Sequence, residues 1–416
     1  MGQSAALRAA LPPLRSPQGI GRRLHMVSTG YPASDLARPS AASALSLLHS
    51  RCRTAADSAA GQRKPLLTPA HLDAWAEGSL VRRHAHSRPS SEPYELSSIR
   101  ELGGGAAMPD GWSSRLVSAT GLKPRDGPNQ DAFSYTLLEG DWIVCVACDG
   151  HGEEGDIIAE RVARTIPFFL SSHMPTLGPE RSLVRSFQDS QEDLEACLNG
   201  AQTFSGTTAS AVCIHMETCE TWLAVAGDSK ITLGDLASSE MVFVTGGHKA
   251  HDLPEADRLR ECGAQVITKD YGDGDLVSRV FVPGTGVPGL AMSRSLGDGC
   301  LKKYGVIATP HVQNVTEHWT ACEAPVAVLA SDGLWDTITA KETIESLAAR
   351  YRAGLDVQRG AEVLLRRSQK LWIQSEGDYC DDVTIVLLAP TESLKSRKVP
   401  LDKPWRPSVA PSGPTH

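Results

Sequence analysis

The sequence predicts an α+β layered domain, and three observations point to it. Apolar runs rich in β-branched residues recur at Trp142 to Cys148, Thr207 to Met216, Thr221 to Ala226, Val326 to Ala330 and Val383 to Leu388, and read as strands buried on at least one face. Amphipathic segments near Glu153 to Leu170, Ser182 to Leu198, Thr339 to Tyr351 and Val357 to Trp372 read as helices, the third opened by a capping box of Thr339 and Glu342. Strand pairs and helix pairs come in blocks, which favours layered α+β packing over a doubly wound parallel sheet.

The 416 residues could hold two or three domains, but irregular ends leave one large unit, expected over 104–390. Residues 1–103 are rich in Ala, Ser, Arg, Pro and Gly, with no acid before Asp35, and are expected to be a mostly disordered basic extension. A short helix around Leu72 to Arg83 is the ordered element foreseen there. Residues 391–416 carry five prolines and read as a flexible tail. The acid-poor start shares the look of a transit peptide, which leaves organelle targeting open, while Ala6 stands where a myristoylation signal wants Ser or Thr.

Net charge is -8, but residues 1–100 hold 13 Lys and Arg against 6 Asp and Glu, and the remainder 28 against 43. The first block is therefore +7 and the rest -15, an acidic region suited to concentrating cations and unsuited to a phosphate backbone, so no nucleic-acid partner is expected. Mean hydropathy is -0.20 and no run approaches a spanning helix, so no membrane span is expected either. Ten cysteines lack disulfide-framework spacing, which suits a reducing, cytoplasmic setting. Cys145 and Cys148 form a CxxC inside an apolar run and read as core, and no Cys precedes an Arg at the spacing of a cysteine-phosphatase loop.

The chemistry lies in the acids that close the strands. Ile143 to Ala147 leads through Cys148 into Asp149-Gly150-His151-Gly152, Leu223 to Ala226 into Gly227-Asp228-Ser229, and Val326 to Ala330 into Ser331-Asp332-Gly333. Asp381-Asp382 precedes the last strand, and Asn129-Gln130-Asp131 precedes Ala132-Phe133. Taken singly, each is a turn sequence. Carboxylates gathered at one place would repel and lose hydration unless cations neutralise them. All-oxygen donors select Mg²⁺ or Mn²⁺, with Ca²⁺ also admitted, over zinc. Two such ions roughly 3.5 to 4 Å apart can share a water, lower its pKa and clamp phosphate oxygens during in-line attack.

In order, Pro128-Asn129-Gln130-Asp131, Asp149-Gly150-His151-Gly152, Ser205-Gly206-Thr207-Thr208-Ala209, Gly227-Asp228-Ser229, Leu290 to Asp298 (LAMSRSLGD), Ser331-Asp332-Gly333-Leu334-Trp335-Asp336 and Asp381-Asp382-Val383-Thr384 resemble the motif series of the PPM, or type 2C, protein phosphatases, across about residues 115–389. The resemblance implies a four-layer αββα fold, a central antiparallel β-sandwich flanked by helices on both faces. It also implies a binuclear Mg²⁺ or Mn²⁺ centre and hydrolysis of phosphoserine and phosphothreonine in protein substrates by a monomer. By position, Asp149 would bridge the metals, the Gly150 carbonyl would bind one, Asp332 and Asp381 would complete the protein ligands, and Asp131 would act at or near them through water. Asp228 would hold, with Asp332, a weaker third ion. His151 would be the general acid to the leaving seryl oxygen. For the phosphate-gripping cation the chain offers Arg125, preferred for its planar fork, and Lys123.

The chain departs from the family pattern at Gln130, where many members have Glu, at Lys230 for a usual Arg, and at Gly247 in place of the acid of an Asp-His-Lys element. The Gln130 change removes one charge beside the site without harm, and the Gly247 change implies altered loop packing with activity kept. Asp270 to Asp275 falls in the family's variable flap and lacks the terminal Glu of a calcium loop. Two rivals stand beside the phosphatase: a non-catalytic phosphoprotein-binding relative, whose usual sign would be a missing metal acid, and a two-metal phosphoesterase acting on small phosphate esters.

Overall fold

Two antiparallel sheets face each other across a shared apolar layer in the computed structural model, which describes residues 67–87, 100–102, 108–123, 127–198, 200–270 and 276–392. One sheet runs β1 (Val81–His86), β4 (Asp131–Leu138), β5 (Trp142–His151), β7 (Ala209–His215), β8 (Thr221–Ala226), β15 (His311–Asn314), with the two-residue strands β6 (Gly206–Thr207) and β14 (Leu296–Gly297) attached at the end of β5. The other runs β10 (Glu240–Val244), β9 (Lys230–Asp235), β16 (Pro325–Ala330), β17 (Val383–Pro390), β3 (Trp112–Ala119), β2 (Arg100–Leu102). A third, small sheet joins β11 (Gln265–Asp270), β12 (Leu276–Phe281) and β13 (Pro288–Leu290). The helices are α1 (Pro69–Ala76), α2 (Gly155–Cys197), α3 (Glu255–Glu261), α4 (Gly299–Lys302), α5 (Thr316–Ala321), α6 (Asp332–Trp335), α7 (Ala340–Arg352) and α8 (Gly360–Glu376).

The strand period of two builds the four layers. Along β5, Ile143, Cys145 and Ala147 face the opposite sheet with Phe133, Leu329 and Val386, while Val144, Val146 and Cys148 face α2, where Ile158, Val162 and Phe187 meet them. On the far side, Val328 and Ile385 pack under Ile344 and Leu347 of α7 and Leu364 and Leu365 of α8. Both faces of the central strands are therefore covered, which is why β5 and β17 read as unbroken apolar runs. Cys145 and Cys148 lie on opposite faces of their strand and cannot share an ion, and burial pushes the Cys145 thiol up to about 12.

The expected capping box is present: Thr339 Oγ1 accepts from the Glu342 amide at 3.2 Å and the Glu342 carboxylate accepts from the Thr339 amide at 3.0 Å. The helices expected near Glu153 to Leu170 and Ser182 to Leu198 join as α2, interrupted at Gly178 (φ 74°, ψ 171°) just before Pro179.

Ahead of the expected boundary at residue 104, residues 67–87 pair with and pack on the sandwich. The helix foreseen over Leu72 to Arg83 ends at Ala76, and Val81–His86 is a strand paired antiparallel with β4. Its Arg- and His-rich composition hid it, because an edge strand is stabilised by its ladder and needs little apolar pattern. α1 docks through buried Leu72 and a 2.9 Å bond from Trp75 Nε1 to Ser171 Oγ, and Arg161 of α2 donates to the Leu67 carbonyl at 2.5 Å. Residues 1–66, the tail beyond 392, Arg125 and residues 271–275 of the flap lie outside the described residues.

This docked segment carries a pH dependence. His84 bonds Thr136 Oγ1 through Nδ1 at 2.8 Å and lies against Trp75 and His86. Burial, with the charges of His86 and Arg164, holds its imidazole down at about 3 against the pull of Asp73. The folded state thus binds fewer protons than the unfolded chain between that value and the ordinary 6.5. Stability from this group is full above the ordinary value and declines as pH falls below it, by up to about 1.4 kcal/mol per pH unit. Amide protection factors in β1, each taken relative to the intrinsic exchange rate at its own pH, are expected to fall from pH 7 to pH 5 in the wild type and much less in His84→Leu.

Candidate metal centre and active site

Acids from both sheets meet at one end of the sandwich because antiparallel pairing brings the relevant strand ends together. In the β4–β5 ladder Asp131 stands opposite Asp149. β8 ends two residues before Asp228, β16 ends two residues before Asp332, and Asp381-Asp382 lead into β17, whose Ile385 pairs with Ala330. Ser331 ties the two sheets: its Oγ donates to Asp131 Oδ2 at 2.7 Å and accepts from the Thr384 amide at 3.0 Å.

The electrostatics record the crowding. Burial first, then the charges of Asp332, Asp131 and Asp381, push the Asp149 carboxyl well above the carboxylate range. Burial, with Asp336, Asp381 and Asp228, does the same to Asp332, and Asp149 and Asp332 are close enough to share a proton. Burial and Asp382 raise Asp131 to about 7, and burial, with Asp228 and Asp381, raises Asp336 to about 6 despite Lys249. Asp228 is the exception: burial opposes its charge, but Lys249 Nζ at 2.5 Å from Oδ2 holds its carboxyl below the usual range.

Among the described residues no three His, Cys, Asp or Glu side chains form a ready metal-holding group. What marks the site is its donor set. Asp131, Asp149, Asp332 and Asp336 are carboxylates whose charge is disfavoured where they stand, and Asp228 Oδ1 is buried without a hydrogen-bond partner. An oxygen-only set of this kind fits Mg²⁺ or Mn²⁺. Gly150 is confined by close approach, since an added Cβ would overlap the Gly155 and Gln130 carbonyl oxygens.

The two adjacent acids before β17 separate by role. Asp382 is buried and accepts from the Gly121 amide at 2.6 Å, the Gln130 amide at 2.9 Å and Lys123 Nζ at 2.6 Å, so it braces the loops. Asp381 faces the other acids, with Tyr379 Oη at 3.1 Å and Lys123 Nζ at 3.4 Å. Lys123 is therefore committed to carboxylates. His151, at the end of β5, places Nε2 at 2.8 Å from Asp298 Oδ2. Burial works against charge on His151, and Asp298 more than offsets it, leaving the imidazole above its ordinary value.

Three participants were not singled out from sequence. Asp336 follows Asp332 by four residues, a same-face spacing that could have flagged it. Asp298 and Lys249 lie in segments already recognised, but their partners, His151 and Asp228, are distant in the chain. At Gly247 an added Cβ would stand in ordinary contact, 3.5 Å from Asp228 Cα, so an acid there would fit but would add like charge beside Asp228, whose counter-charge is Lys249.

The Leu290 to Asp298 segment is held by Glu255 of α3. Its carboxylate accepts from Arg258 Nη2 at 2.6 Å, Arg294 Nη2 at 2.5 Å and Ser293 Oγ at 2.5 Å, and these donors hold it well below the usual carboxylate range against the effect of burial.

Known proteins resemble this chain in sequence and fold. The family profile described as protein phosphatase 2C matches residues 129–371. The chain is 30% identical over 304 residues to "Probable protein phosphatase 2C 64" of Oryza sativa subsp. japonica, covering 70% of this chain and 69% of that protein. It is 31% identical over 311 residues to "Probable protein phosphatase 2C 73" of Arabidopsis thaliana, covering 66% and 79%. A solved serine-threonine phosphatase 2C from Toxoplasma gondii shares the fold at TM-score 0.56 and 19% identity, over 71% of this chain and 99% of that one. With strand-end acids from both sheets gathered at one end and the profile covering more than half its length, the chain belongs to the protein phosphatase 2C family, whose members are generally Mg- or Mn-dependent, and is a protein serine/threonine phosphatase.

Proposed function

We propose that the chain, acting as a monomer, hydrolyses phosphoserine and phosphothreonine in proteins with two Mg²⁺ or Mn²⁺ ions held by Asp149, the Gly150 carbonyl, Asp332 and Asp381. In this mechanism Asp131 acts through water, and Asp228 marks the corner for a weaker third ion. The observation that supports this is the gathering of Asp131, Asp149 and Asp332, each with its charge suppressed, from strands of two sheets. When bound, the ions lower the pKa of the attacking water and offset charge building on the phosphoryl oxygens.

The chain's own side chains do the rest. Arg125 grips the phosphate, since Lys123 is engaged by Asp382 and Asp381. His151 delivers a proton to the departing seryl or threonyl oxygen, a task worth about 10²-fold in rate. Asp228 is balanced by Lys249, so a third ion there competes with a tethered ammonium. All the metal acids of the family series are present, which separates the chain from a binding-only relative.

The test is hydrolysis of a phosphothreonine peptide by the full chain with Mn²⁺ or with chelator, beside a panel of small phosphate esters. Activity should require the ion and favour the peptide. Indifference to chelator, or full activity in Asp332→Asn, would remove the mechanism, and preference for small esters would restore the phosphoesterase alternative. His151→Ala is expected to bind Mn²⁺ normally while turning over the peptide about 10²-fold more slowly.

A further inference from the structure

We propose that Asp298 is the positioning residue of this active site: its carboxylate fixes the His151 ring in the one orientation from which the proton reaches the leaving oxygen. The inference rests on His151 being the general acid and adds what holds it there.

The carboxylate is itself built in from several directions. Its side chain is 1% exposed, and Oδ2 takes both His151 Nε2 at 2.8 Å and Ser295 Oγ at 2.6 Å. Its backbone sits in the left-handed region (φ 47°, ψ 44°), uncommon for a residue with a side chain, and its amide donates to the Ser205 carbonyl at 2.9 Å. Gly206 opposite must lack a side chain, because a Cβ there would overlap Asp298 Oδ2. On either side of this residue, the Gly297 amide donates to Gln191 Oε1 at 2.8 Å and Lys302 Nζ donates to the Ser295 carbonyl at 2.5 Å. A simple ion pair would need none of this bracing.

The bond also selects the ring nitrogen. With Nε2–H directed at Asp298, the transferable proton sits on Nδ1. As the phosphorus–oxygen bond to the serine or threonine breaks, its electron pair goes to the leaving oxygen, which takes the Nδ1 proton. The water oxygen bonds to phosphorus, and His151 is left neutral with its bond to Asp298 intact.

A positioning role and a merely structural one differ in their leaving-group dependence. A phosphothreonine peptide expels an alkoxide that needs the proton, whereas p-nitrophenyl phosphate expels a phenolate that leaves without it. In the full chain with Mn²⁺, Asp298→Asn is expected to lower kcat on the peptide by at least ~10-fold and on p-nitrophenyl phosphate by less than ~3-fold, with KM and Mn²⁺ affinity unchanged. Asp298→Glu should recover part of the loss. Ser295→Ala, which loosens the carboxylate without removing it, should show the same selectivity at smaller size and carries the test if Asp298→Asn fails to fold. Equal losses on both substrates, or none, in variants of Asp298 and Ser295 would overturn the proposal, provided His151→Ala is selective. If His151→Ala is itself unselective, the general acid is wrong and the inference falls with it.

Discussion

Asp149→Asn is expected to lower turnover on a phosphothreonine peptide by more than about 10²-fold while making the metal-free protein harder to unfold. The two effects have one cause. Asp149 is buried among Asp332, Asp131 and Asp381, and its charge is disfavoured there. Because its folded-state pKa lies above the unfolded value, the folded chain holds the extra proton, and metal-free stability falls as pH climbs through that window. Asparagine removes the penalty, so the gain should exceed about 1 kcal/mol near pH 7 and fade toward pH 4. Urea melts in chelator at both pH values would show it. In Mn²⁺ the order should reverse, since only the wild type gains from the ion. A variant less stable than wild type in chelator at pH 7 would contradict the account.

The second large effect is expected at Glu255. Glu255→Ala leaves the guanidinium groups of Arg258 and Arg294 and the Ser293 hydroxyl without their shared acceptor, in a setting where they are largely shielded from water. Removing one member of such a network costs about 3 kcal/mol, somewhat less where Arg258 still reaches solvent. Activity should fall too, because the released segment runs on to Asp298. Thermal melts and peptide turnover on the same preparation check both. The acid dependence has the opposite sign to that of Asp149. Glu255 is held below its ordinary value of 4.5, so its contribution is full above that pH and is lost as pH falls through the window beneath it.

Much of the fold was legible because both faces of the central strands are covered, so β5, β16 and β17 announce themselves as apolar runs ending in an acid. Asp131, Asp149, Asp228 and Asp332 could be named for the same reason: strand ends and their acids are adjacent in sequence. What escaped was everything set by distant partners. Val81–His86 carries no apolar signal and is a strand because β4 offers an edge. Asp381 and Asp382 are neighbours with the same side chain, and only the approach of Lys123 and two backbone amides assigns one to bracing and the other to the acids. The pairing of His151 with Asp298 joins residues 147 positions apart.

The two ends of the sandwich are fastened differently. At the end remote from the acids, Trp112 opens β3 beside the last residue of β17, and its indole lies parallel to that of Trp319 with centroids 6.3 Å apart. At the other, sheet is joined to sheet by the Ser331 hydroxyl among like charges. One seam is thus shut by oil and the other by chemistry that wants a counter-ion, so opening of the metal-free domain is expected to begin at the acidic end, with lower amide protection around Ser331 than around Trp112.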